Sequence, residues 1–382
     1  MTNTIVTCKR CILDTHDDPN IYFDNEGICN HCRGYEAVAK KYDLTEEQRD
    51  KKLAEIVQKL KTSGKGKKYD CILGVSGGVD STYLAYKVKQ FGLRPLIVHF
   101  DNGWNSELAV KNIENILNKL NFDLFTYVVD WDEFNDLQMS YIKASVIDWE
   151  IPTDHGFMAM LFDQANKHNI EYILSGHNIV TEAILPKSMR WSKLDVANIK
   201  DIHKTFGKVK LKTFPLLGFF KHLYYLKVKK IKMISPLNYM EYNKKEVKEF
   251  IQKELGWRDY GGKHYESIFT RFYQGYVLPE KFKVDKRKAH LATLINSGQM
   301  TREEALEEIK TPPYDPEQLK IDKEYVIKKF NITAEEFEKY MKLPIRSHLE
   351  FESYETGMYR KHERFFKFIS PITKLIKTVI GK

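Results

Sequence analysis

The string Ser76-Gly77-Gly78-Val79-Asp80-Ser81 constrains this chain more than any other, because it follows the apolar run Cys71 to Val75 and opens a stretch of helical periodicity. A buried strand that ends in Ser-Gly-Gly and runs straight into a helix gathers backbone N–H groups and the positive helix end around one point. Such a point suits an anion. Gly77 and Gly78 allow close approach, Ser76 and Ser81 supply hydroxyls for phosphate oxygens, and Asp80 makes sense beside a phosphate if it helps to hold Mg²⁺. A Walker A loop is missing: the nearest Gly-Lys pairs, Gly64-Lys65 and Gly66-Lys67, precede the strand instead of following it, which disfavours kinase-like γ-phosphoryl transfer. The alternative reading of the same string is a ligand-free glycine turn between strand and helix.

Short apolar runs at Cys71 to Val75, Leu96 to Phe100, Leu124 to Val129 and Tyr172 to Leu174 alternate with helical stretches. This alternation predicts an α/β domain with a parallel sheet covered on both faces and a binding crevice at the strand C-terminal ends. Two more strand ends carry polar groups: Asp101-Asn102-Gly103, and Ser175-Gly176-His177-Asn178 with Glu182 beyond. His177 reads either as a charge stabiliser at the phosphates or as a helix cap, and Glu182 either as a magnesium ligand or as a carboxylate at a helix start. Residues 44–62 predict an amphipathic helix starting at Thr45, and helices are expected from Lys244 to Leu255 and within 301–342. The expected organisation is a four-cysteine zinc knuckle over 1–40, a helical connector over 41–66, a phosphate-binding α/β domain over 67–240 and a mostly helical substrate or partner region over 241–382.

Cys8-x-x-Cys11 and Cys29-x-x-Cys32, with 17 residues between them, have the spacing of two knuckles that wrap four thiolates around one structural zinc. An iron–sulfur cluster and four free thiols are the alternatives. His31 lies inside the second knuckle, but four thiolates make it unnecessary. The fifth cysteine, Cys71, reads as a core thiol. The start of the chain lacks the plan of a secretion signal and no apolar run approaches a spanning helix, so a cytoplasmic location is expected. A net charge of +9, from 61 Lys and Arg against 52 Asp and Glu, favours anionic partners. The basic, amphipathic tail from Phe365 to Lys382 is expected either to rest on a membrane surface or to pack as a terminal helix.

The S-G-G-x-D-S string resembles the PP-loop of the ATP pyrophosphatase superfamily. Taken with the two knuckles, Ile151-Pro152-Thr153-Asp154-His155-Gly156, Ser175-Gly176-His177-Asn178 and Gly261-Gly262-Lys263-His264-Tyr265-Glu266-Ser267, the chain from Cys8 to about Leu306 resembles the WbpG- and PseA-like N-acetyl sugar amidotransferases of bacterial surface-glycan biosynthesis. The resemblance implies conversion of an acetamido group on a nucleotide-linked or acidic sugar into an acetamidino group, with ATP, Mg²⁺ and ammonia. It places ATP at Ser76 to Ser81, Asp101 and Gly176, with Asp80, Ser81, His155 and His177 in catalytic roles. Sugar-side candidates are Asp154, Lys187, Arg190, Lys263, His264 and Glu266; Asp154, His155 or Glu266 would take a proton from the adding ammonium. The sequence offers no glutaminase cysteine, so ammonia is expected either directly or from a separate HisH-like glutaminase with a HisF-like subunit.

Two other functions fit parts of this pattern. A tRNA thiolation enzyme also combines a PP-loop with C-x-x-C pairs, but only Cys71 remains here for sulfur transfer once the knuckles are filled. A non-catalytic zinc-ribbon protein would read nucleic acid through its basic face. The intact Asp80 and Ser81 weigh against it, and no nucleic-acid partner is expected.

Overall fold

The computed structural model describes residues 5–262 and 265–357. Two cysteine turns lead into α1 (Asn30–Ala39). Thr45 caps α2 (Glu46–Ser63) in a reciprocal capping box with Gln48, so the expected start is the observed one. Strand and helix then alternate through β1 (Cys71–Gly74), α3 (Val79–Gln90), β2 (Pro95–Asp101), α4 (Glu107–Leu120), β3 (Asp123–Val128), α5 (Trp131–Ala144), α6 (Ile151–Lys167) and β4 (Tyr172–Leu174). The short α7 (Ile179–Glu182), α8 (Val196–Phe206), α9 (Phe219–Lys227), β5 (Lys232–Ile234) and α10 (Lys244–Leu255) follow. The remainder is helical: α11 (Ile268–Phe272) continues into a π-helical segment (Tyr273–Phe282), then α12 (Arg287–Asn296), α13 (Arg302–Glu308), α14 (Pro316–Phe330) and α15 (Ala334–Lys342).

The sheet has the order β3-β2-β1-β4-β5 and every neighbouring pair is parallel. Chain order reverses between β1 and β4, which opens a crevice at their C-terminal ends. Successive residues of β1 point to opposite faces, and the core divides accordingly. Ile72 joins Leu96, Val98, Phe100 and Ile173 under α6, whereas Cys71 and Leu73 join Ile97 and Leu174 under α3, α4 and α10. Truncating a fully buried side chain such as Leu73 to alanine would cost about 2–5 kcal/mol.

Four strands lie where the apolar runs place them; β5 was not foreseen, because it is only three residues long and begins with Lys232, too short a run to stand out. Two expected boundaries need correction. The connector helix α2 contributes Ile56 and Leu60 to the same core as β1, and α10 adds Val247, Ile251 and Leu255, so divisions at 66 and at 240 each cut through one packed layer. The tail from Phe365 lies outside the described residues. Among the described residues no helix is long and apolar enough to cross a membrane.

His155 is corrected as well. Pro152 sits in the first turn of α6, where its missing N–H is not needed. His155 is fully buried, its Nδ1–H donates to the Lys193 carbonyl at 2.7 Å, and its Nε2 accepts from the Leu217 N–H at 3.1 Å. Both ring nitrogens are therefore committed to the main chain, and the imidazole is a pin between α6 and two loops, not a proton carrier. Burial holds its pKa down to about 4. In the unfolded chain the value is about 6.5. The unfolded state thus binds the extra proton between these values, and the stability His155 contributes is complete above about pH 6.5 and lost as pH falls towards 4. Calorimetry across that window is expected to show the melting temperature falling with pH. His155→Gln should melt lower at pH 7.5 and fall less steeply on acidification; an unchanged slope would contradict the assignment.

Candidate active site

The loop after β1 turns at Gly77, where φ is +84° and a Cβ would stand 3.0 Å from the Ala109 carbonyl oxygen of α4. Only glycine suits both conditions. Ser76 Oγ accepts from the Gly78 N–H at 3.3 Å, and Ser81 Oγ–H donates to the Gly78 carbonyl at 3.2 Å, so both hydroxyls line the loop that they were expected to serve. Gly78 and Val79 start α3 with no side-chain cap, which leaves the helix end open to an anion. Trp257, buried at the end of α10, donates its indole N–H to the Gly77 carbonyl at 2.8 Å and fixes the loop from behind.

Across the crevice, the turn after β4 passes directly over the first turn of α3. A Cβ on Gly176 would lie 3.0 Å from Ser81 N and 3.1 Å from Asp80 C. Asn178, fully buried, caps α7 through its Oδ1 and donates its Nδ2 to Asp80 Oδ1 at 3.0 Å. The Tyr242 hydroxyl donates to the same carboxylate oxygen. Burial, then the Asp80 charge, raises the Tyr242 phenol well above its ordinary range, so it remains a donor. Glu182 lies beside this group, 4.0 Å from the His177 Nε2, and His177 itself is exposed at the rim.

A third carboxylate comes from the segment before α11. Ser106 N–H donates to the Glu266 carbonyl at 2.9 Å and Ile268 N–H to the Trp104 carbonyl at 2.9 Å, so this segment pairs with the loop after β2. A methyl on Gly78 would stand 3.6 Å from Glu266 Oε1 and 3.4 Å from the Tyr260 hydroxyl. Tyr260 hydrogen-bonds to Glu266, and burial followed by that negative neighbour raises its pKa. Asp80 in the first turn of α3 and Glu266 beside Gly78 thus bring two carboxylates to one helix N-terminus, with Glu182 near Tyr242. Oxygen donors of this kind suit a hard divalent ion such as Mg²⁺.

The other expected site residues are spread around this centre. Asp101 ends β2 and accepts from Gly103 N–H at 2.9 Å and from Asn105 Nδ2 at 3.3 Å, which orders the loop there. His99, which the sequence did not single out, donates from Nδ1 to the Val75 carbonyl at 3.1 Å and links β2 to the phosphate loop. Asp154, in the first turn of α6, pairs with half-buried Lys193 at 2.8 Å, and Thr153 beside it accepts from Asn102 at 3.0 Å. Lys187 and Arg190 lie at a 3₁₀ turn beyond α7. Lys263 and His264 lie outside the described residues. Tyr242, Trp257 and Tyr260 carried no sequence signal, because aromatic residues in a helical region read as core.

The four knuckle cysteines are fully buried and all their sulfurs lie within 4.8 Å of one another, with Cys8–Cys32 at 4.0 Å and Cys11–Cys29 at 3.8 Å. A tetrahedron with metal–sulfur bonds of roughly 2.3 Å has edges of about 3.8 Å, so the set fits a single ion such as zinc and is too tight for a cubane cluster. Cys8 Sγ accepts N–H groups from Arg10, Cys11 and Cys29, and Cys32 Sγ accepts from Asn296 at 3.1 Å; these donors stabilise thiolates. His31 instead bonds to Asp18 at 2.8 Å. The knuckle is seated by Lys288, 2.9 Å from both Asp14 and Asp17, and by Arg302, which donates to the Cys11 carbonyl at 3.1 Å.

Residues 266–366 match the family model described as LPS biosynthesis protein WbpG-like, C-terminal domain, which bears out the resemblance over that region. The uncharacterized protein MJ1599 of Methanocaldococcus jannaschii is 25% identical over 317 residues, covering 80% of this chain and 93% of its own length. Among solved structures, the U34-tRNA thiolase NcsA of Methanococcus maripaludis with its 4Fe-4S cluster is similar at 15% identity and a TM-score of 0.32, over 77% of this chain and 86% of that one. The NH3-dependent NAD synthetase of Campylobacter jejuni is similar at 13% identity and a TM-score of 0.29, over 79% and 98% respectively. The NMN synthetase of Francisella tularensis is similar at 15% identity and a TM-score of 0.29, over 57% and 90%.

The sulfur geometry predicts that Cys8→Ser with Cys29→Ser removes one tightly held metal ion per chain and lowers the melting temperature, since α1 and the turns before it have little core of their own. Elemental analysis of the purified variant checks this. Retention of a full metal equivalent would contradict it.

Proposed function

We propose that this chain is an ATP-dependent amidotransferase that converts the acetamido group of an N-acetylated, nucleotide-linked sugar into an acetamidino group. The observation that carries the proposal is the approach of Glu266, the first residue of the WbpG-like region, to Gly78 in the Ser76 to Ser81 loop that also bears Asp80. The loop and the start of α3 would cradle the triphosphate. Mg²⁺, when bound by Asp80 with Glu182 and Glu266, would neutralise charge on the phosphates. Asn178 and Tyr242 orient Asp80, and His177 at the rim suits donation to the departing pyrophosphate.

In the proposed reaction the acetamido oxygen attacks the α-phosphorus and expels pyrophosphate, and the amide nitrogen loses its proton to leave an O-adenylated imidate. Ammonia adds to the imidate carbon, and AMP departs with the former carbonyl oxygen, leaving the amidine. Asp154 and Glu266 are the proposed acceptors for the ammonium proton, now that His155 is committed elsewhere. Lys187, Arg190, Lys263 and His264 are proposed for the carboxylate or diphosphate of the sugar. Ammonia would come from a HisH-like glutaminase acting with a HisF-like subunit, because Cys71 is fully buried and burial pushes its thiol pKa up. The same burial leaves no spare cysteine for a persulfide, which disfavours tRNA thiolation.

Incubation with ATP, Mg²⁺, ammonium and a panel of N-acetylated nucleotide sugars should give AMP, pyrophosphate and an amidine product by phosphorus NMR and mass spectrometry. ADP with phosphate, or AMP that forms only with tRNA and a sulfur donor, would refute the proposal. Asp80→Ala is expected to lose at least about 100-fold in turnover with metal content unchanged. Gly176→Ala should lose a similar factor, because its methyl would press on the backbone of Ser81.

A further inference from the structure

The start of α6 forms the wall of the crevice opposite α3. Gly156 lies against the Phe100 ring of β2 and Phe157 against Gly74 of β1, while His168, just past the other end of α6, meets Tyr69 before β1. The helix therefore runs against the strands, and its first turn stands beyond their C-terminal ends, where Thr153 accepts from Asn102. Asp154 in that turn forms its ion pair with Lys193, from the loop before α8, at 2.8 Å. The lysine is held at both ends: its carbonyl accepts the His155 Nδ1–H, and its ammonium lies 2.5 Å from Asp148.

Asp148 occupies a costly position. It is 4% exposed and has a φ of +73°, a conformation that residues with side chains seldom adopt. Its second carboxylate oxygen accepts the Trp191 N–H at 2.9 Å, and its own N–H donates to the Tyr273 hydroxyl at 2.8 Å. The surrounding structure thus forces a buried carboxylate into place, and that carboxylate fixes one ammonium group beside the crevice. An ammonium has three N–H groups, and among the described residues only Asp148 and Asp154 take one each. The Lys193 side chain is 27% exposed and that of Asp154 48%, so an N–H and a carboxylate oxygen are left side by side for a ligand.

Charge decides the kind of ligand. Glu150, at the start of α6, faces Lys286 at 3.8 Å, so the carboxylates of Asp148, Glu150 and Asp154 meet only the two ammonium groups of Lys193 and Lys286. A phosphate or carboxylate would be repelled there, and the charge of Lys193 is already matched twice. A hydroxyl is neutral, accepts from an ammonium and donates to a carboxylate, and so suits both groups at once.

We propose that Lys193 and Asp154 are a specificity-determining pair that grips one hydroxyl of the sugar ring and turns its acetamido group towards the phosphate loop, with Asp148 as the positioning residue behind them. This rests on the amidotransferase reading and adds which part of the substrate this wall recognises: a neutral, hydroxylated edge, with the anionic groups held elsewhere. Of the two proposed acceptors for the ammonium proton, Glu266 is then the one left.

The test is steady-state AMP release, at saturating ATP, Mg²⁺ and ammonium, from the N-acetylated nucleotide sugar that the wild-type chain converts and from analogues of it in which each ring hydroxyl in turn is replaced by hydrogen. With wild type, one deoxy analogue is expected to lose at least about tenfold in kcat/KM. Lys193→Met should lose a similar factor on the parent sugar and almost nothing more on that one analogue, while the other analogues keep their wild-type ratios to the parent and the KM for ATP is unchanged. Because methionine leaves Asp148 unpaired, the double variant Asp148→Asn, Lys193→Met removes both charges, keeps an acceptor for the Trp191 N–H and supplies the same comparison if the single variant fails to fold. Circular dichroism and metal content check the fold. A loss by the same factor on the parent and on every analogue would overturn the proposal, because a merely structural role acts on all sugars alike, and so would a wild-type chain indifferent to every deoxy replacement. Either result leaves the amidotransferase reading standing, whereas no conversion of any N-acetylated nucleotide sugar by wild type would overturn both.

Discussion

Three stretches of chain that are distant in sequence meet on one carboxylate. Asp80 belongs to the first turn of α3, Asn178 to the turn after β4, and Tyr242 to the link between β5 and α10, yet both partners direct hydrogen bonds to Asp80 Oδ1. A charge in that partly enclosed position is costly unless it is met by donors and by the positive helix end. Those donors tie together the turns beyond β1 and β4, two strands that the sheet already pairs. With the strands so held, Gly176 passes over Ser81 with no room for a side chain, and the phosphate loop keeps a single shape.

The remote helices act through the same contacts. Trp257 reaches the Gly77 carbonyl from the end of α10, and Asn112 of α4 holds Arg258 by two main-chain hydrogen bonds of 2.8 and 2.9 Å. On the other side, α12 lies between the knuckle and α7. Asn296 bonds to Cys32, while Thr293 accepts the Ile184 N–H and Ser297 donates to the Val180 carbonyl. The four-cysteine site is about packing, but its support passes within one helix of Asn178.

Much of this was legible from local pattern. Strand β1, the glycine loop and α3 follow from apolar periodicity and backbone freedom, and the cysteine spacing foretold a four-sulfur cluster whose edges fit one tetrahedral ion. What the sequence hid depends on tertiary contact. Tyr242, Trp257 and Tyr260 look like ordinary aromatic core residues until the fold brings them to the loop. His155, beside an aspartate and a glycine, looks like a proton carrier until both ring nitrogens are seen to be bonded to main chain. Strand β5 has three residues, two of them exposed, and forms only because β4 offers it an edge.

The central claim is that an amide oxygen is activated by transfer of an adenylyl group. The most direct measurement uses an N-acetylated nucleotide sugar labelled with ¹⁸O in its acetamido carbonyl, with unlabelled ATP, Mg²⁺ and ammonium. Mass spectrometry of the nucleotide product is predicted to find the label in AMP and none in pyrophosphate. Amidine formed with unlabelled AMP would contradict the account, because the oxygen would then have left the sugar without passing through the α-phosphorus.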